Sequence, residues 1–99
     1  MIAGVSYAPA DDQLFRALRG DGTYKNDRRV RVSDVAELNQ TLACYSRIQY
    51  FQKAGRESTF LKVMQSVDRA RGFGDYYGFV LVAQGSCDLM VDYGVHIWD

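Results

Sequence analysis

Asp75-Tyr76-Tyr77-Gly78-Phe79-Val80-Leu81-Val82-Ala83-Gln84-Gly85 is compatible with two kinds of element, and the choice between them sets the fold class. Phe79-Val80-Leu81-Val82 has the aromatic and β-branched content of a buried strand. Against that, Asp75 suits a helix N-cap and Gly85 a C′ position, and the interval between them fits about three helical turns. The stretch therefore reads as a buried helix. Asp88–Tyr93 then alternates, Leu89 and Val91 against Asp88, Met90 and Asp92, which predicts a strand ending near Gly94. Upstream, Phe60, Leu61, Val63, Met64 and Val67 make the apolar stripe of an amphipathic helix over Glu57 to Asp68. Arg69 and Arg71 with Gly72 and Gly74 end that region in permissive backbone. Strands and helices alternate through this half, so the class is α/β or α+β.

The first half reads as strands and turns. Ile2–Ala8 and Leu14–Arg19 flank the turn Pro9-Ala10-Asp11-Asp12, which predicts a β-hairpin. Asp11 and Asp12 are solvated turn residues in this reading. Asp21-Gly22 supplies a second reversal. Arg28–Ser33 reads as a half-buried strand, with Val30 and Val32 on one face and Arg29, Arg31 and Ser33 on the other. Ser33-Asp34 followed by Glu37 predicts the start of a helix of one or two turns. Thr41–Tyr45 is a short strand, and Ser46–Gly55, without clear periodicity, reads as a loop.

Ninety-nine residues, 47% of them hydrophobic and 24% charged, make one small globular domain rather than a disordered tail. Lys+Arg and Asp+Glu are 12 each, a formal net charge of zero. General nucleic-acid and anionic-membrane binders are usually basic, so neither class is expected. Arg28, Arg29 and Arg31 read as a wet strand face, with a phosphate or RNA grip as the alternative. The longest apolar run, Phe79–Ala83, is far short of a membrane span, and the opening residues carry no secretory signal, so the expected location is cytoplasmic. Cys44 and Cys87 are too few for a disulfide scaffold, and with His96 as the single histidine there is no zinc pattern. They read as two buried thiols in a reducing compartment. A Cys87–His96 nucleophile pair lacks any supporting motif.

Two blocks resemble a known family. The first is Gly4-Val5-Ser6-Tyr7-Ala8-Pro9, Leu14-Phe15-Arg16-Ala17, Gly20-Asp21-Gly22 and Val30-Arg31-Val32-Ser33. The second is Gly74-Asp75-Tyr76-Tyr77-Gly78 through Leu81-Val82-Ala83-Gln84-Gly85, then Asp92 and Trp98-Asp99. In this order and spacing the chain resembles the inositol monophosphatase superfamily of magnesium-dependent phosphomonoesterases. Arg71-Gly72-Phe73-Gly74-Asp75 is similar to its histidinol-phosphatase-like branch. The resemblance implies the sugar-phosphatase fold, a layered α+β sandwich with a mixed sheet and packing helices. It implies hydrolysis of a small phosphate monoester, L-histidinol phosphate first and inositol monophosphate second.

The same resemblance implies site residues. The family uses Mg²⁺ ions held by carboxylates, and its Trp-Asp aspartate maps to Asp99, an expected metal ligand. Asp92 maps to an acidic or polar substrate contact, and Gly74 with Asp75 to a substrate-facing turn at a helix start. The plainer readings are a solvated strand residue for Asp92 and an N-cap for Asp75. Tyr76, Tyr77 and Trp98 read as packing residues. The family's Glu-Glu and Asp-Pro-(Ile/Leu)-Asp-Gly-Thr motifs occur nowhere in the chain. The expectation is therefore a single partial domain, residues 1–99, matching the C-terminal half of such an enzyme with its N-terminal metal-binding half missing. No residue is assigned as catalytic, and the chain alone is expected to be inactive. It then pairs with itself, as a homodimer, or persists as a non-catalytic interaction module.

Overall fold

The structure is a computed structural model and describes residues 1–97. Trp98 and Asp99 lie outside the described residues, and with them the expected metal ligand.

The first half is an antiparallel meander. Ala3–Ala8 (β1), Gln13–Leu18 (β2), Gly22–Lys25 (β3) and Arg28–Val30 (β4) form one sheet in that order. The hairpin around Pro9 is present, with Ala8 opposite Gln13 and Ala3 opposite Leu18. The next reversal carries Gly20 at φ +83, a conformation glycine adopts without a Cβ penalty. The third turn is Asn26-Asp27, both at positive φ, which fits a primed two-residue hairpin. Strand β3 went unread in the sequence because Asn-Asp is a weaker hairpin signal than Asn-Gly. The Asn26 side chain also accepts from Leu14 N–H and donates to Asp12 O, tying two turns together.

Strand β4 stops at Val30, short of the expected Ser33. The helix expected after Ser33 is absent; a single 3-10 turn, Leu38–Gln40, stands there instead. The nearby Ser33 hydroxyl, then the Leu42 amide, then the Arg69 charge hold the Asp88 carboxyl below the ordinary aspartate value, with desolvation opposing them.

The second half is α/β. Leu42–Tyr45 (β5) lies between Arg69–Arg71 (β6) and Leu89–Val91 (β7), and both pairings are parallel. The strands thus divide into an antiparallel and a parallel sheet rather than one mixed sheet. Among the described residues three α-helices accompany them: Ile48–Lys53 (α1), Glu57–Ser66 (α2) and Asp75–Ala83 (α3). Helix α1 replaces the expected loop over Ser46–Gly55. Six residues are too few to display a period, and α1 is held by packing: Phe51 is buried and stacks on Phe60 at 4.6 Å. Tyr45 meets Phe60 edge-on at 5.2 Å. Burying each such ring is worth roughly 1.5–3 kcal/mol.

Helix α3 settles the ambiguous stretch. The residue ahead of its first turn is Gly74, with no side-chain cap, and Asp75 is the first helical residue at φ +55. Asp75 is thus inside the helix rather than its N-cap. At the other end Gly85, at φ +80, lies against Arg31 O, which a Cβ would approach to 2.6 Å. Here the second half packs on the chain leaving β4.

The cysteines overturn the free-thiol reading. Cys44 and Cys87 are joined in a disulfide, and both are buried. Forty-three residues separate them in sequence, and the parallel pairing of β5 with β7 brings them together. Cys87 therefore has no thiol to pair with His96.

Candidate functional site

Ligands in open α/β sheets gather beyond the C-terminal ends of parallel strands. Ser46 directly follows β5 and Asp92 directly follows β7, so both stand at that edge. The Ser46 hydroxyl donates to Asp92 Oδ1, and the Tyr93 amide donates to the same oxygen at 2.8 Å. One carboxylate oxygen is thereby fixed by the protein, and among the described residues Oδ2 accepts no bond. Asp92 is half-buried and aimed by its neighbours, which a freely solvated strand residue would not be.

Beside this pair is a cavity of about 510 Å³. Helix α1 lines it with Tyr50 and Lys53, α3 with Asp75, Tyr76 and Phe79, and the segment after β7 with Asp92 to His96. Asp75 and Asp92, read from the sequence as substrate contacts, thus come to one cavity from two different elements. Gly74 stands just outside the lining, with the position of its missing Cβ 3.7 Å from Ser46 Cα. The turn before α3 therefore lies against the Ser46 backbone. The first-turn N–H groups of α3 have no intrahelical acceptor, and the positive end of the helix dipole sits at this mouth.

Aromatic rings form much of the wall. Tyr93 is held by Phe51 at 6.1 Å, and the Arg47 guanidinium lies 5.8 Å from the Tyr50 ring centre. Tyr76 lines the cavity, whereas Tyr77 packs edge-on against Phe73. The sequence reading took both as packing residues, and only Tyr77 is purely that. Tyr50 and Lys53 were missed because their helix was read as a loop. Tyr93 and His96 carried no signal beyond their nearness to Asp92.

No group of three or more His, Cys, Asp or Glu side chains among the described residues is placed to hold a metal ion. Magnesium takes an octahedral set of hard oxygens, and Asp75 and Asp92 offer two carboxylates. The described residues therefore do not fit a Mg²⁺ cage by themselves. Among them, no helix is long and apolar enough to cross a membrane.

Comparison with known proteins agrees with this architecture. The chain is 32% identical to a histidinol-phosphatase from Mycobacterium tuberculosis over 97% of its own length and 39% of that protein. It is 33% identical to an inositol-1-monophosphatase from Mesorhizobium japonicum, over all of its length and 38% of that protein. The solved inositol monophosphatase from Anabaena superposes with a TM-score of 0.85 at 28% identity, covering 99% of this chain and 40% of that one. The chain thus spans about two fifths of the relatives it matches. Residues 1–99, from first to last, match the inositol monophosphatase family, and the chain belongs to it.

Proposed function

We propose that this chain forms the substrate-orienting part of a phosphomonoesterase of the inositol-monophosphatase type. The observation that supports it is the convergence of Asp75 and Asp92 on one cavity at the ends of parallel strands, with Asp92 Oδ1 fixed by Ser46 and Tyr93. Asp92 Oδ2 accepts a hydroxyl of the alcohol part of the ester and fixes its orientation. Asp75 accepts a second, and the first-turn amides of α3 offer donors to the phosphate oxygens. Held in this way, the ester spends less entropy in reaching the geometry for in-line attack. Gly74 keeps the turn before α3 close to Ser46 and so sets the approach of Asp75.

Mg²⁺ enters the proposal through the family alone, since the described residues hold no ligand set for it; Asp99 remains the position proposed for a ligand. Inositol monophosphate is the favoured ester, because the solved Anabaena structure and the Mesorhizobium relative both bear that name. Histidinol phosphate is the second reading, carried by the Mycobacterium relative.

The test is a chimera in which these residues replace the matching stretch of the Anabaena enzyme, with phosphate release measured in Mg²⁺. Release from inositol 1-phosphate is expected, at least about tenfold above histidinol phosphate in kcat/KM, with Asp92→Asn lowering it about 100-fold. A folded chimera that releases no phosphate, or is indifferent to Asp92→Asn, contradicts the proposal.

A further inference from the structure

Among the described residues, Cys44 and Cys87 are the largest side chains that are completely buried, so their disulfide lies within a small core. Cys44 lies within β5 and Cys87 just ahead of β7, so the disulfide ties together the two chain segments whose far ends carry Ser46 and Asp92. Cys44 stands two residues before Ser46 and Cys87 five before Asp92, and these are the residues whose side chains bond across the strand ends. The register continues through the same region, with Cys44 opposite Met90 and Tyr45 opposite Val91. Close by, Leu42 N–H donates to Asp88 Oδ2 at 2.7 Å, and Asp88 N–H donates to Leu42 O at 3.0 Å. The segment carrying Cys87 is therefore docked on β5 by two hydrogen bonds and one covalent bond. Removing the covalent bond alone leaves those two hydrogen bonds in place.

We propose that the Cys44–Cys87 disulfide is a redox-operated clamp that fixes the Ser46–Asp92 end of the parallel sheet. A dithiol reductant opens it. One thiolate attacks a cystine sulfur and forms a mixed disulfide, releasing the other cysteine as a thiolate that takes up a proton. The second thiol of the reductant then displaces the remaining cysteine. Two electrons and two protons reach the protein, and the reductant leaves as its own disulfide. A small organic disulfide reverses the exchange. Both sulfurs are shielded from solvent, so the exchange waits on local opening and is slow in the native chain.

The bearing of the clamp on substrate rests on the function proposed above. Its test uses no ligand, so the two can fail separately. The chain is purified without reductant, unfolded and treated with iodoacetamide, before and after incubation with dithiothreitol. Intact mass is expected to show no alkylation before and two alkylated cysteines after. Dithiothreitol is expected to lower the unfolding midpoint by about 10 °C, from the loss of a cross-link closing a long loop. In ¹⁵N spectra it is expected to shift and broaden Ser46, Asp92 and Tyr93 while leaving β1–β4 unchanged. A Cys44→Ala/Cys87→Ala variant is expected to match the reduced spectrum and to ignore the reductant. Reduction of the unaltered chain gives the same reading should that variant not fold. Two alkylated cysteines before reduction, or identical Ser46, Asp92 and Tyr93 resonances in both redox states, overturns the proposal.

Discussion

The two sheets of this molecule are held together in different ways. The meander β1–β4 is built from neighbours in sequence, each strand pairing with the next across a short turn. One of its faces leaves Val5, Tyr7, Leu14 and Leu18 exposed, and Phe15 is its buried anchor. The sheet β6-β5-β7 pairs strands that are far apart in sequence, and it carries the stacked rings, the disulfide and the cavity. Local pairing gives a platform that turn residues specify. Distant pairing gives a core and strand ends that converge on one place, and there the candidate site stands.

The largest expected difference between the halves comes from truncating one apolar side chain in each. Phe60→Ala removes a ring that is 4% exposed and packed between Phe51 and Tyr45, and is expected to cost about 3–5 kcal/mol in urea unfolding. Val5→Ala, on the open face at 73% exposure, is expected to stay within about 0.5 kcal/mol. Equal losses contradict the division into core and platform.

Gly85→Ala strikes the junction between the halves. It places a Cβ 2.6 Å from Arg31 O at a positive φ, and is expected to cost about 1–3 kcal/mol by the same assay. A neutral result means that α3 does not pack on the chain leaving β4.

Asp88 is the next such contact, its carboxylate accepting from Leu42 N–H and lying near the Ser33 hydroxyl. Its carboxyl titrates below the unfolded value of 3.8. The folded form thus binds its proton less readily than the unfolded chain does. Its contribution is complete above pH 5 or so, is lost as pH falls through the ordinary aspartate range, and is gone below the folded value. Asp88→Asn is expected to cost at most about 1 kcal/mol at neutral pH, solvent screening discounted, and to flatten the loss of stability as pH falls below about 5. An unchanged acid limb removes Asp88 from this role.

The smallest effect concerns the open face. Sedimentation is expected to show self-association at high concentration, weakened by Val5→Ser together with Leu14→Ser. A clean monomer at every concentration contradicts a second copy as the cover of that face.

The sequence was legible where structure is local. Pro9-Ala10-Asp11-Asp12 marked the first hairpin, and the stripe from Phe60 to Val67 marked α2, because turn chemistry and helical period are written in adjacent residues. Asp75–Gly85 holds a helix as read, with Gly85 just past its end, although Asp75 is its first residue rather than its cap. What stayed hidden was decided across distance. Helix α1 exists through Phe51 meeting Phe60, and the disulfide through cysteines 43 residues apart. The candidate site was half legible: Asp75 and Asp92 followed from resemblance, while Ser46, Tyr50 and Lys53 needed the fold.

The most direct test of the site is a ¹⁵N NMR titration of the chain with myo-inositol 1-phosphate. Saturable shifts are expected at Ser46, Asp75, Tyr76, Asp92 and Tyr93, absent from β1–β4 and abolished by Asp92→Asn. Shifts confined to β1–β4, or no shifts at those residues at millimolar ligand, contradict the placement of the site.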